Sequence, residues 1–265
     1  MAITSRQNAL VARYRAAARG DSAKLILLDG VQLGADALAA GLTIQHAAAC
    51  CAADAHHDVA DLLARLNRAG AEVATVSASV MDALSPVRSS SSIVALAERP
   101  VPRDAAMYAT PPSLTVIAVD VQDPGNVGAI VRVAEAGGAS GFYAAGISAD
   151  PFGWKALRGS MGSALRLPLR AVPSPAIAID EARAHGCRII ATVPRDGTPL
   201  FDADLTGSLA LLIGGEGQGL SESVLASADE RITIPMQTPV ESLNAAVSAA
   251  LIVYEVRRQR RRENA

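Results

Sequence analysis

The run Leu114-Thr-Val-Ile-Ala-Val119, then Asp123-Pro-Gly-Asn-Val-Gly128, then a helical repeat through Ala136 decides the fold. Five of the first six residues are apolar, which reads as a strand buried on both faces. Val127, Ile130, Val131 and Ala134 recur at three- and four-residue spacing, so Val127–Ala136 reads as an amphipathic helix. A strand, a glycine loop and a helix together open a βαβ unit. Pro124-Gly125 fits the centre of a type II turn, and Asn126 is placed to cap the helix. Arg132 falls outside the apolar stripe. Gly128, four residues before it, has no side chain to stop the guanidinium leaning back over the loop. A surface arginine on a well-capped helix satisfies the same pattern.

Working outward, strands are expected at Gly141–Ala145, Arg166–Val172, Arg188–Val193, Leu209–Gly214 and Arg231–Ile234. They alternate with helices at Lys155–Ala164, Ala176–His185 and Glu222–Ala226 and a long C-terminal helix. This is the grammar of a parallel, doubly wound α/β sheet. Toward the N-terminus a smaller α/β unit is expected, with a helix within residues 4–19 (Leu10, Val11, Tyr14 inward) and a strand at Lys24–Asp29. Helix Asp58–Ala69, strand Glu72–Val76, helix Val80–Leu84 and strand Ile93–Ala97 follow, with Ser89–Ser92 as a turn. Pro100, Pro102, Pro111 and Pro112 interrupt Arg99–Ser113 without apolar periodicity, which marks a linker. The division expected is 1–98, a linker at 99–112, and 113–265.

Composition excludes several classes of function. Only 3% of the 265 residues are aromatic, too few for a stacking platform for single-stranded nucleic acid. Twenty-four basic and 26 acidic residues leave a net charge of -2, so any nucleic-acid partner is held locally rather than by a global field. No secretory leader or membrane-length apolar run is read, so a cytoplasmic, non-membrane protein is expected. Cys50, Cys51 and Cys187 make neither a disulfide framework nor a zinc motif. His56-His57 between Asp54 and Asp58, and His46 with Cys50 at helical spacing, are poor ligand sets, so no metal is expected. The run Arg257–Arg262 reads as a solvated helix end that complements the dipole.

Two further glycine or proline loops follow strands, where α/β sheets bind ligands. Gly214-Gly-Glu-Gly-Gln-Gly219 lacks the GK[ST] ending of a Walker loop and the third glycine of GxGxxG, yet lets backbone approach a ligand. A plain glycine turn fits it equally. In Ile234-Pro-Met-Gln-Thr-Pro-Val-Glu-Ser-Leu-Asn244, Thr238 to Glu241 form a capping box, which would start the last helix at Pro239.

In this order and near these separations, the three loops resemble the three motifs of the SpoU (TrmH-like) branch of the SPOUT RNA methyltransferases. The first resembles Asp123 to Arg132, the second Ile213 to Leu220, and the third Ile234 to Val247, while Arg158-Gly-Ser-Met-Gly-Ser163 resembles the family's link. The resemblance implies an L30e-like RNA substrate-binding domain at 1–98 and a SPOUT α/β-knot domain, with a deep trefoil knot, at 113–265. It implies S-adenosyl-L-methionine as cofactor, held by Thr192, Gly214, Gly215, Ile234, Met236 and Leu243. A loop then persists to about Ser242, against the capping box.

The implied reaction is methylation of an RNA ribose 2'-hydroxyl, with Arg132 central and Asn126, Glu216, Ser242 and Asn244 organising the pocket. Arginine stays protonated in proteins, so phosphate orientation with proton relay is physically easier than proton abstraction. Arg6, Arg13 and Arg158 are candidate RNA contacts, and the C-terminal helix, with Leu243, Val247, Ala250, Leu251 and Tyr254, is a candidate homodimer surface. Ribosomal RNA is the expected substrate, transfer RNA the alternative. Base-nitrogen methylation and a non-catalytic RNA-binding or ribosome-assembly role are the rivals; Arg132 with Ser242-Leu-Asn244 argues against the first, and the presence of all five polar positions against the second.

Overall fold

The computed structural model describes residues 3–50, 57–87 and 91–263; Cys51, Asp54, His56, Ser89 and Ser90 of the sequence reading lie outside them. Two compact units result, Met1–Val101 with Phe152–Arg166, and Pro102–Pro151 with Leu167–Ala265.

In chain order the first unit begins with α1 (Ala9–Arg19), β1 (Leu25–Asp29), α2 (Val31–Ala39), β2 (Ile44–Cys50) and α3 (His57–Arg68). Then come β3 (Glu72–Val76), α4 (Ala78–Leu84) and β4 (Ile93–Glu98). The second unit opens with α5 (Asp104–Met107), β5 (Leu114–Val119), α6 (Pro124–Gly137) and β6 (Gly141–Ala145). The chain then returns to the first unit for α7 (Trp154–Ser160) and α8 (Ser163–Arg166). The second unit resumes with β7 (Leu169–Val172), α9 (Pro175–Ala184), β8 (Arg188–Thr192), β9 (Thr198–Pro199) and β10 (Leu209–Gly214). It closes with α10 (Glu222–Ala226), β11 (Glu230–Thr233) and α11 (Ala245–Glu263).

The first unit carries a four-stranded sheet, β1-β4-β2-β3, in which β4 runs antiparallel to both neighbours and only β2 and β3 are parallel. Its core joins Leu10, Val11 and Tyr14 of α1 to Leu27, Val94 and Leu96, with Trp154 of α7 packed alongside. That packing explains why Phe152–Arg166 groups here and not with 113–265 as expected. The helix expected over Lys155–Ala164 breaks into α7 and α8 because Met161 and Gly162 take left-handed backbone (φ 50° and 83°). At Gly162 the left-handed backbone, and an Asp36 carboxylate oxygen 2.2 Å from where a β-carbon would fall, both favour glycine.

His46 and Cys50, read at helical spacing, stand instead in strand β2. His46 is 2% exposed, with its Nδ1 2.9 Å from the Tyr14 hydroxyl. Burial pushes the His46 imidazole below its ordinary range and the Tyr14 phenol above its own. The folded unit therefore holds a neutral imidazole, whereas the unfolded chain takes up a proton near pH ~6.5. The stability contributed is present above that pH and is lost as pH falls toward the depressed folded value. Thermal unfolding at pH ~5 and ~7.5 should show a lower transition in acid, and His46→Gln should narrow the gap.

The second unit carries a seven-stranded sheet, β7-β6-β5-β10-β8-β11-β9, with every pairing parallel. Ile117 and Val119 of β5 point into a cluster with Ala178, Ile179 and Ala182 of α9, so by alternation Val116 and Ala118 face the opposite side. There α6 packs on β5 and β6, and α11 packs on α6 and β10. A β-carbon on Gly137 would fall 2.1 Å from Val253 Cγ1, so glycine permits this close approach of α6 and α11.

The proline-rich stretch is not a free linker. Met107 and Tyr108 are buried in the second unit's core, Tyr108 stacks on His185 with centroids 4.2 Å apart, and Asp104 pairs with Arg170 at 3.0 Å. Nor is the C-terminal arginine run merely solvated. Arg257 donates to the Ala136 carbonyl at 2.6 Å, Arg258 grips Glu255, and Arg260 donates to the carbonyls of Pro112, Ser113 and Gly207.

Candidate functional site

At the carboxyl ends of β5 and β10 and the start of α11, three loops converge. The helix after β5 begins earlier than expected. Asp123, not Asn126, is its cap, its carboxylate accepting from the Asn126 amide at 2.8 Å, and Pro124 occupies the first helical position. Pro124-Gly125 is thus the first helical turn rather than a type II turn. Released from capping, the Asn126 side chain reaches Glu216 Oε1 at 2.7 Å.

The last helix begins later than the capping box at Thr238 suggests. Its cap is Asn244, whose Oδ1 accepts from the amides of Ala246 (2.9 Å) and Val247 (3.3 Å). The Asn244 Nδ2 donates to Asn126 Oδ1 and to Glu216 Oε1, both at 3.0 Å. Tertiary partners thus decide the helix start, as the loop expected through Ser242 requires. They also fix both amides. Since the helix offers only N–H groups, Asn244 must turn its oxygen to α11, leaving nitrogen for the other two residues. Asn126 must then present oxygen to Asn244 and nitrogen to the carboxylate.

Beside this triangle lies a cavity of ≈ 640 Å³, lined by all six candidate cofactor residues: Thr192, Gly214, Gly215, Ile234, Met236 and Leu243. Glu216, Ser242 and Asn244 form part of its wall. Gly214 needs its missing side chain for room rather than for backbone freedom. A β-carbon there would lie 2.8 Å from the Gly219 carbonyl carbon and 2.9 Å from the Leu220 nitrogen, while positive φ belongs to Gly217 and Gly219. Ser242 is exposed at the cavity's edge. Arg132 stands exposed on α6, and among the described residues no hydrogen bond or ion pair ties it to the triangle. Sequence reasoning therefore named five polar residues, of which three meet directly.

The profile of the SpoU rRNA Methylase family matches residues 113–254, the span that carries all three loops. The chain belongs to the SpoU rRNA Methylase family. An uncharacterised tRNA/rRNA methyltransferase of Synechocystis is 33% identical over 262 residues, covering 97% of this chain and 93% of that one. The 23S rRNA (guanosine(2553)-2'-O)-methyltransferase RlmP of Bacillus subtilis is 37% identical over 145 residues, 54% of this chain and 57% of the relative. The solved SpoU methyltransferase AviRb of Streptomyces viridochromogenes, in complex with the cofactor AdoMet, superposes with a TM-score of 0.85. It is 29% identical, covering 96% of this chain and 98% of that one. The SpoU match bears out the α/β fold with its parallel sheet. The matched span includes all three loops that supply the triangle.

The first unit's candidate RNA contacts are all exposed, and some are engaged. Arg6 donates to the Ser79 carbonyl at 2.8 Å and Arg13 to Gln45 at 3.3 Å. Arg158 is exposed on α7. Among the described residues no group of three or more His, Cys, Asp or Glu side chains is placed to hold a metal, and no helix is long and apolar enough to cross a membrane.

Proposed function

We propose that this chain is an S-adenosylmethionine-dependent methyltransferase of RNA ribose 2'-hydroxyls, acting on ribosomal RNA. The observation that carries the reading is the Asn126–Glu216–Asn244 triangle on the wall of a cavity built from backbone and apolar side chains. The cavity fits the cofactor chemically. No lysine or arginine lines it, which disfavours a polyphosphate nucleotide, whereas a cationic sulfonium on a nucleoside needs only apolar walls, backbone groups and the Glu216 carboxylate. S-adenosylmethionine bound there supplies an electrophilic methyl group.

This chain's residues supply position and charge. The triangle holds the Glu216 carboxylate at the cavity's edge as an acceptor. Arg132, held by no partner among the described residues, is available to a substrate phosphate or ribose oxygen, where its fork gives a bidentate, oriented contact. Ser242 adds a hydroxyl from the third loop. We assign the second unit the deep trefoil knot of the SPOUT fold, and the first unit an L30e-like, RNA-binding role through Arg6, Arg13 and Arg158. The test is transfer of tritiated methyl from S-adenosylmethionine to ribosomal RNA, followed by mapping of alkali-resistant ribose sites. Label in a base nitrogen, or none at all, would overturn the reading.

The active protein is a homodimer through α11 in this proposal. Ala245, Ala249, Ile252, Val253 and Val256 are buried within the unit, while Val247, Leu251 and Tyr254 remain 43–51% exposed one turn apart. Light scattering at micromolar concentration should give twice the chain mass, and Leu251→Glu should give the monomer. A wild-type monomer would sink the claim.

A further inference from the structure

Asp120, just beyond β5, was not among the candidate residues, yet it carries a left-handed backbone (φ 57°) that non-glycine residues adopt sparingly. Its surroundings hold it there. The Asp120 amide donates to the Ala145 carbonyl at 3.2 Å, and Oδ1 accepts from the Ile147 amide at 2.9 Å, so both backbone and side chain grip the end of β6. Two glycines are cut to its shape. A β-carbon on Gly146 would fall 2.2 Å from Asp120 Oδ1, and one on Gly215 would fall 2.1 Å from the Asp120 carbonyl oxygen.

Gly215 is the residue before Glu216, and its amide donates to the Val119 carbonyl at 2.8 Å. Asp123, three residues beyond Asp120, caps the turn that presents Asn126. The carboxyl ends of β5, β6 and β10 therefore meet at Asp120, and both loops that supply the 2.7 Å Asn126–Glu216 bond depart from this point. A small cavity of ≈ 230 Å³ is lined by Asp120, Asn126 and Glu216 together.

We infer that Asp120 is a positioning residue, which sets the separation of the first and second loops and so assembles the Asn126–Glu216–Asn244 triangle. It acts through shape and an accepted hydrogen bond, not through charge. Only the kinetic part of the test rests on the methyltransferase reading.

Three variants separate the contributions. Asp120→Asn keeps both the tolerance of left-handed backbone and the Oδ1 acceptor, Asp120→Gly keeps the backbone alone, and Asp120→Ala keeps neither. The direct readout is the NMR spectrum of the Asn126 and Asn244 side-chain amides, assigned by substitution. Bonded amides with slowed exchange should persist in Asp120→Asn and collapse toward solvent values in Asp120→Gly and Asp120→Ala. In methyl transfer, kcat should fall about 10-fold for Asp120→Gly and about 100-fold for Asp120→Ala, with KM for S-adenosylmethionine unchanged and Asp120→Asn near wild type. Unchanged amide signals in Asp120→Ala would overturn the inference, and so would an Asp120→Asn protein as impaired as Asp120→Ala. Inactive wild-type protein with the expected amide pattern would count against the proposed reaction and leave the positioning role standing.

Discussion

Replacing Arg132 with alanine should lower the rate of methyl transfer to RNA by about 10²–10³-fold, the range seen when an oriented charge-stabilising donor is removed from a reacting centre. S-adenosylmethionine affinity should stay within about twofold, because Arg132 does not line the cavity assigned to the cofactor. The fold should survive as well, since the side chain is exposed and bonded to nothing among the described residues. Arg132→Lys should recover only part of the loss, because an ammonium keeps the charge without the planar fork. Single-turnover transfer of labelled methyl, with calorimetric titration of the cofactor on the same variants, checks both halves. Full turnover in Arg132→Ala would remove this residue from the mechanism.

Gly214→Val should produce the complementary phenotype. Its first side-chain carbon would sit 2.8–3.0 Å from backbone atoms of Gly219 and Leu220, and backbone cannot swing aside as a flexible side chain does. The loop must open, at an overpacking cost of roughly 1–3 kcal/mol. If that cost falls on the bound state, cofactor affinity drops by about 10- to 100-fold at tenfold per 1.4 kcal/mol. RNA affinity, measured without cofactor, should change little. Calorimetry giving wild-type cofactor affinity would show that the ligand does not use this loop.

The second unit was legible where local signals and tertiary demands agree. Its buried strands are short apolar runs, and the order of its three loops carried the family pattern. Elsewhere tertiary partners override local preference. The capping box at Thr238 is a good helix start in isolation, but Asn244 gains the amides of α11 and two partners across the site by starting the helix later. Ile44–Cys50 is rich in alanine with little β-branching, so its strand is created by pairing with β4 and β3 on either side. Met107 looks like an isolated apolar residue among prolines until Gly141 leaves room for it, a β-carbon there being 2.6 Å from Met107 Cγ. Asp120 gave no signal at all, because aspartate at a strand end is ordinary and its left-handed backbone is visible only in three dimensions.

The return of Phe152–Arg166 to the first unit makes that unit discontinuous in the chain. Three backbone crossings, at Val101, Pro151 and Arg166, tie the two units together where a simple fusion would have one. Deleting the N-terminal hundred residues would not yield a clean second unit, because α7 would keep an apolar side built around Trp154 with nothing to cover it. A proteolytic nick at Pro151 or Arg166 leaves at least one fragment with residues of both units, whereas a nick at Val101 leaves only Phe152–Arg166 of the first unit joined to the second. Gene fusion cannot exchange the first unit for another by a single junction either: the donor would have to supply the matching internal segment between β6 and β7. The two units of such a chain are therefore expected to be inherited, and to diverge, together.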